Sequence, residues 1–152
     1  WIDHGYGSIS PAVAVDALGV TTVAWSEPIT PDGGATGFFA SRTGPTQTFG
    51  DPIRVAFDPA RAVEEPQIAV DSDGNAIIVW RWADAGTGRI AAARFDATRG
   101  RWGDAGIVSQ EPGENPLNPR IVIGTNGRAL IVWQERFDAG AGYESIWPVL
   151  SK

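Results

Sequence analysis

A threefold internal repeat is the feature that most restricts how this chain can fold. Each copy has a proline, an apolar segment, a glycine eight positions after the proline and a tryptophan fourteen positions after it. The copies begin at Pro11, Pro66 and Pro119, which are 55 and 53 residues apart. Repeats with a period of roughly 20–50 residues indicate that copies of one structural unit stack on one another.

Each copy continues in the same way after its tryptophan. A glycine-rich stretch and a third apolar segment follow, and in the first two copies a fourth segment begins at Phe49 and Trp102, each 17 residues before the next repeat proline. The segments are short, rich in β-branched and aromatic residues and bounded by turn residues, which is typical of β-strands. The tryptophan-bearing segments are apolar at consecutive positions, which predicts strands covered on both faces. One repeat therefore predicts a four-stranded antiparallel sheet packed between neighbouring sheets.

Such a unit resembles a β-propeller blade. The repeat is similar to the propeller repeats of bacterial secreted and surface proteins, which are loosely related to sialidase and kelch repeats. It lacks the strict sialidase Asp-box and the kelch glycine doublet. The resemblance implies an all-β fold of three four-stranded antiparallel blades, and it implies no particular activity.

The ends of the chain suggest how the propeller is completed. Blade 1 is predicted at about 11–53, blade 2 at about 66–108 and blade 3 at about 119–152, within a single segment 1–152. Blade 3 lacks a fourth strand, and residues 1–10 resemble one. Since propellers have about four or more blades, we expect half of a six-bladed propeller, in which two chains exchange residues 1–10 in a head-to-tail ring. A fragment of a longer chain and a larger ring are the alternatives.

Composition excludes several classes of function. The net charge of −6 argues against nucleic acid and anionic membranes as partners. No apolar run approaches the roughly 20 residues of a membrane-spanning helix. The chain has no cysteine and one histidine, His4, so neither a zinc–thiolate site nor a Ser-His-Asp triad is expected. The segment 71–75 resembles the start of a calcium loop, but the other repeats do not keep its carboxylates and a hairpin turn is favoured. We therefore predict no metal and no cofactor.

The residues that follow the repeated tryptophans are the candidates for a ligand site. Trp25, Trp80 and Trp133 themselves are predicted to fill the space between blades. The loops after them share one face of a propeller with the loops between blades, where we place four further glutamates: Glu64, Glu65, Glu111 and Glu114. Carboxylates, guanidinium groups and aromatic rings can bind a sugar by hydrogen bonding and stacking. The predicted ligand-binding residues are Glu27, Arg81, Trp82, Glu135 and Arg136.

These features favour a non-catalytic binding or assembly module that forms a propeller by oligomerisation and binds a glycan or a protein. The first alternative is a fragment of a propeller glycoside hydrolase, sialidase-like, or a lyase. A sialidase-like site would need three arginines, but Arg42 and Arg94 recur at the end of the third strand and Leu150 replaces the third. The second alternative is a purely structural or engineered half-propeller. The resemblance implies an extracellular or cell-surface location, and no catalytic residue is assigned.

Overall fold

The computed structural model describes residues 9–29, 36–44, 46–59, 61–83, 88–109, 115–136 and 144–151. All the regular elements in this part of the chain are β-strands, and they form three antiparallel sheets that follow one another in sequence. The described residues include no helix long and apolar enough to cross a membrane.

The first sheet has the four-stranded order that one repeat predicts. Its strands are hydrogen-bonded in chain order: β1 (Ile9–Val15), β2 (Thr21–Pro28), β3 (Thr36–Arg42) and β4 (Ile53–Phe57). The β1–β2 hairpin turns at Gly19, whose φ of +81° is a conformation that favours glycine.

The second and third sheets repeat this arrangement with different outer edges. In the second sheet, β8 and β9 both pair with β7. The third sheet contains three strands among the described residues. The strands are β5 (Ala62–Val70), β6 (Ala76–Ala83), β7 (Gly88–Asp96), β8 (Arg101–Trp102), β9 (Gly106–Ile107), β10 (Asn115–Ile123), β11 (Ala129–Arg136) and β12 (Glu144–Ser151).

The strand predicted to complete the third sheet falls mostly outside the described residues. Residues 1–8 lie outside them, and Ile9 and Ser10 belong to β1 of the first sheet, where Ile9 is paired with Ser26. Assigning residues 9 and 10 to the third sheet was therefore wrong. The predicted blade 1 begins at about residue 11, the repeat proline, but the strand continues on both sides of it.

A β-bulge allows each first strand to continue through its proline. At the same place in all three sheets, two residues of the first strand lie opposite one tryptophan of the second strand. The first of the two has a positive φ and the second is the repeat proline. The positive-φ residues are Ser10, Glu65 and Asn118, with φ of 53°, 52° and 51°. Because the bulge inserts one residue without ending the pairing, β1, β5 and β10 begin before the predicted blade starts at 11, 66 and 119.

The first strands also lie next to one another, since β5 contacts both β1 and β10. The sheets are therefore arranged around a row of first strands, as the blades of a propeller are.

Two apolar clusters hold the three sheets together. Between the first and second sheets, Trp80 is fully buried and its ring centroid lies 5.0 Å from that of Phe38. Between the second and third sheets, Trp133 packs with Ile77, Val79 and other apolar residues. The prediction that the repeated tryptophans fill the space between blades is confirmed for Trp80 and Trp133. Burying side chains of this size contributes about 1.5–3 kcal/mol each.

Candidate functional site

Polar residues gather where the second strands end and the first strands begin. The pairing of β5 with β6 places Arg81, near the end of β6, opposite Glu64, near the start of β5. Glu27 and Glu135 lie near the ends of β2 and β11, at the positions that Trp82 holds in β6. We call this side of the sheets, defined by Glu27, Glu64, Arg81 and Glu135, the polar end.

Two predicted site glutamates at the polar end are bound by the repeated tryptophans. Trp25 donates its indole Nε1–H to Oε2 of Glu27 at 2.9 Å, and Trp133 donates its own to Oε1 of Glu135 at 2.8 Å. Both glutamates are buried, with 1% and 5% of their surface exposed. Since a buried carboxylate is costly without hydrogen bonds, these pairs stabilise the strand ends. The prediction that Glu27 and Glu135 lie on ligand-binding loops after the strands was wrong about the loops, because β2 and β11 extend beyond both residues.

The second sheet departs from this pattern because Trp82 replaces the glutamate. The indole nitrogens of Trp80 and Trp82 are buried and have no hydrogen-bond partner among the described residues. Their rings instead meet edge to face, with centroids 5.5 Å apart. Trp82 lies inside β6, so its predicted place beyond the end of the strand was wrong. The guanidinium of Arg61 lies 5.6 Å from its ring centroid, so this aromatic face is already covered.

Arg81 connects the second sheet to the third. Its Nε donates to the carbonyl oxygen of Pro116 at 2.9 Å, its Nη2 donates to Oδ1 of Asn115 at 2.6 Å, and its Nη1 is ion-paired with Glu64. A Cβ at Gly88 would lie 2.8 Å from Nε of Arg81, so a larger residue there would displace the guanidinium. The buried Arg81 therefore holds Glu64 in place and leaves little donor capacity for a ligand.

The accessible carboxylates of the polar end belong to Glu64 and Glu65. The Glu64 side chain is 47% exposed although it is paired with Arg81. Glu65, in the bulge of β5, accepts a hydrogen bond from the backbone N–H of Asn118 at 2.6 Å. Asn118 in turn donates its Nδ2–H to Oε1 of Gln134 at 2.8 Å. Glu64 and Glu65 therefore bring two solvent-accessible carboxylates to the row of first strands. The sequence placed both on loops between blades.

The opposite side of the sheets carries the hairpins between first and second strands, and we call it the hairpin end. In the first hairpin, Oδ1 of Asp16 accepts hydrogen bonds from the backbone N–H groups of Leu18 and Val20, both at 2.9 Å. In the second, Oδ1 of Asp71 accepts from Asp73 and Asn75 at 3.0 and 2.8 Å. The prediction that the segment 71–75 is a hairpin turn is confirmed.

The recurring arginines also lie at the hairpin end, away from the polar end. Arg42 of the first sheet donates from Nη2 to the carbonyl oxygen of Gly74 in the second at 2.9 Å, and it lies 4.2 Å from the ring centroid of Phe95. Burial lowers the pKa of the Arg42 guanidinium, and the carboxylates of Asp16 and Asp71 oppose that shift. Arg94 lies 3.9 Å from Asp71. Arg42 therefore connects two sheets instead of contributing to a carboxylate-binding cluster.

The structure brings part of the predicted site together. Arg81 and Glu64 form one cluster with Asn115, which the sequence analysis missed. Arg136 is at the end of β11, its side chain is outside the described residues, and Glu111 and Glu114 lie outside them as well. The sequence analysis also left Gln134 out of the predicted site. Gln134 stands directly after Trp133, as Arg81 stands directly after Trp80, and this shared position was the signal that could have found it.

Comparison with known proteins identifies the fold without a close relative. No protein-family model matches the chain, and no curated protein sequence matches it. Solved structures do match: an endo-arabinase from Bacteroides thetaiotaomicron VPI-5482 is similar over 99% of this chain, with a TM-score of 0.63 and 16% identity. A thermostable family-43 glycoside hydrolase matches 97% of it, with a TM-score of 0.59 and 14% identity. The polysaccharide lyase Uly1 matches 93% of it, with a TM-score of 0.60 and 12% identity.

These similarities show a β-propeller type of fold. At such low identity they extend to the fold alone, and they do not bear specifically on the sialidase or kelch resemblance. The chain spans 58%, 55% and 40% of the lengths of the three proteins. It therefore corresponds to part of each of these larger propeller structures.

Proposed function

We propose that this chain is a segment of a propeller-fold protein that acts on a polysaccharide, and that its polar end contacts the sugar. The propeller glycoside hydrolases and the lyase that share its fold support this function over a purely structural one. The observation that carries the proposal is the exposed carboxylate of Glu64, which the buried Arg81 holds in place beside Glu65. Carboxylate oxygens fixed in this way can accept hydrogen bonds from sugar hydroxyl groups. Because the side chain is already ordered, binding costs less conformational entropy.

The polar-end residues take different roles in this proposal. Glu64 and Glu65 contact the sugar, and in a hydrolase they would supply the two carboxyl groups that glycoside hydrolysis commonly requires. Arg81 is a positioning residue for Glu64. Glu27 and Glu135 fix the tryptophans, and Trp82 supports the apolar cluster beneath the site. Arg136 stays a predicted ligand contact next to Glu135.

A second candidate is the non-catalytic binding and assembly module that oligomerises into a propeller. The burial of Glu27 and Glu135 against indole groups favours it, because those carboxylates act in packing and not in chemistry. An extracellular or cell-surface location stays a prediction.

Calorimetric titration with xylotriose and with arabino-oligosaccharides tests both candidates, with chromatography of the mixture to detect cleaved products. We expect Glu64→Gln and Glu65→Gln each to weaken binding at least tenfold, which corresponds to about 1.4 kcal/mol. Asp73→Asn removes an exposed carboxylate at the hairpin end and serves as the matched control.

The outcomes separate the two candidates. Product release that depends on Glu64 and Glu65 supports the enzyme, whereas binding without product release supports the non-catalytic module. Absence of binding at millimolar sugar, or equal weakening by the control, contradicts the assignment of the polar end as a glycan site.

A further inference from the structure

A groove crosses the junction of the first and second sheets at the hairpin end. Its volume is about 260 Å³, and it is lined by the ends of β3 and β4, the segment between them and the β7–β8 hairpin. We define this outer groove by Arg42, Asp51, Phe95, Gly100 and Trp102. Sites for drug-sized ligands measure roughly 300–1,000 Å³. The outer groove therefore suits a smaller polar molecule or one unit of a polymer.

Arg42 lines the outer groove with a guanidinium that is only partly engaged. Its Nη2 donates to the carbonyl oxygen of Gly74, and its face covers the Phe95 ring. Its Nη1 is buried and has no hydrogen-bond partner in the part of the chain that the structure describes. A guanidinium carries five N–H donors, and a buried donor without an acceptor is costly. Arg42 therefore keeps donor capacity that the hydroxyl groups of a ligand can use.

Asp51 brings an exposed carboxylate to the same groove. The segment before it is fixed to β3 by two hydrogen bonds. The backbone N–H of Gly50 donates to the carbonyl oxygen of Arg42 at 3.0 Å, and Oγ of Ser41 donates to the carbonyl oxygen of Gly50 at 2.6 Å. The backbone that carries a donor side chain and an acceptor side chain is thus ordered before a ligand binds, which lowers the entropy cost of binding.

The second sheet closes the outer groove with aromatic rings. Phe95 is buried, and Trp102 meets it edge to face with ring centroids 5.4 Å apart. The turn between β7 and β8 ends at Gly100, whose φ is +64°, and brings Trp102 back against β7. Because Trp102 is only half-buried, part of its indole is available to a ligand. An aromatic ring beside a donor and an acceptor can bind a sugar by stacking and hydrogen bonding.

The corresponding groove between the second and third sheets differs in its walls. Arg94 and Asp104 hold the places of Arg42 and Asp51 there, and the groove has a similar volume of about 290 Å³. The other described residues that line it are aliphatic or glycine, and none is aromatic. Arg94 is also 43% exposed, whereas Arg42 is largely buried. The second groove therefore serves as an internal control for the first.

We infer that the outer groove binds one unit of a neutral sugar, as a second glycan site separate from the polar end. Sugar hydroxyl groups accept hydrogen bonds from Arg42 and donate to Asp51, and Trp102 packs against the sugar ring. A neutral sugar is favoured because Asp51 would repel a sugar carboxylate. The class of ligand rests on the proposed function. The site itself does not, since the seven residues of β3 extend about 20 Å between the two ends.

Two-dimensional NMR of the full chain, with assigned resonances, tests the site residue by residue. Xylose, arabinose and glucose are titrated to tens of millimolar, and glucuronic acid serves as the charged counterpart of glucose. We expect a neutral sugar to shift the amide signals of Gly50 and Gly100 and the indole N–H signal of Trp102. No shift at these three signals with any neutral sugar overturns the inference. Tighter binding of glucuronic acid than of glucose overturns the assignment of a neutral ligand.

The positions of the shifts separate this inference from the proposed function. Shifts at Glu64 and Glu65 alone would support the polar end and overturn the outer groove as a site. Shifts at the outer groove alone would support the second site, and only the polar end would be lost.

A pair of matched variants gives the final test. Asp51→Ala removes an exposed carboxylate from the outer groove, and we expect it to fold as wild type and to weaken sugar binding there about tenfold, as loss of one hydrogen bond to a charged group does. Asp104→Ala removes the equivalent exposed carboxylate from the groove without aromatic rings, and it should leave that binding unchanged. Equal weakening by the two variants, or none by Asp51→Ala, overturns the inference.

Discussion

The indole Nε1 of Trp133 donates a hydrogen bond of 2.8 Å to Oε1 of Glu135, two residues further along β11. Alternate residues of a strand share a face, so a tryptophan and the second residue after it can form such a pair within one strand. Trp25 and Glu27 repeat the arrangement in β2. The hydrogen bond therefore links a tryptophan of the buried core to a glutamate of the polar end only two residues away.

Loss of the Glu27 carboxylate should destabilise the fold. Glu27→Ala leaves the indole N–H of Trp25 buried without an acceptor, which costs about 1–3 kcal/mol. Glu27→Gln keeps an acceptor oxygen and should cost less. Urea denaturation of the two variants measures the difference, and equal losses would show that the hydrogen bond contributes little.

Both tryptophans of β6 should matter for stability, but to different degrees. Trp80→Ala removes a fully buried side chain, and such a change typically costs about 3–5 kcal/mol. Trp82→Ala should cost less, because Trp82 is only half-buried, but more than a surface change, because it packs against the same cluster. The free energies of unfolding rank the two variants. A Trp82→Ala variant as stable as wild type would contradict this packing.

Replacing Arg42, which links the first two sheets, should destabilise the fold more than replacing Arg94. Arg42→Ala removes the hydrogen bond to Gly74 and the contact with the Phe95 ring, and we expect a loss of about 1–3 kcal/mol. Arg94→Ala should cost less than about 1 kcal/mol, since Arg94 is 43% exposed and 3.9 Å from its partner. Thermal unfolding at neutral pH compares them, and a larger effect at Arg94 would refute the assigned roles.

The bulge residue of β1 should tolerate glycine and resist a β-branched side chain. Ser10 has a φ of 53°, which glycine adopts without strain and valine does not. We expect Ser10→Gly to be close to neutral and Ser10→Val to lose about 1–2 kcal/mol. Chemical denaturation distinguishes them, and Ala12→Val in the same strand controls for the added side-chain volume.

The strand order was accessible from the sequence because it depends on local signals. Gly74 and Gly127 mark tight hairpins, and each repeat supplies its own strands with no long-range partner. The burial of Trp80 was predictable for the same reason, since consecutive apolar residues surround it. The bulges were not predicted, because each blade was predicted to begin at about its repeat proline and the bulge includes the residue before it.

The candidate site was less accessible because its contacts link distant residues. Arg81 is buried by Asn115 and Pro116, which are 34 and 35 residues away and belong to another sheet. No pattern near Arg81 distinguishes it from a solvated arginine. The pairing of Trp133 with Glu135 was missed because Glu135 was predicted to lie on a loop, although residues two apart on one strand share a face.

The extra residue in the bulge of β5 shifts the alternation of side chains by one position, so that residues before and after it exchange faces of the sheet. Val63, before the bulge, and Ile68, after it, contribute to the same apolar cluster, although an uninterrupted strand would direct odd- and even-numbered residues to opposite faces. Glu64 is thereby directed toward Arg81 and away from that cluster. Deleting one residue here would carry the Glu64 carboxylate into the apolar space between the first two sheets. The number of residues before the repeat proline therefore decides on which face of the sheet a charged side chain lies, whichever residue carries the charge.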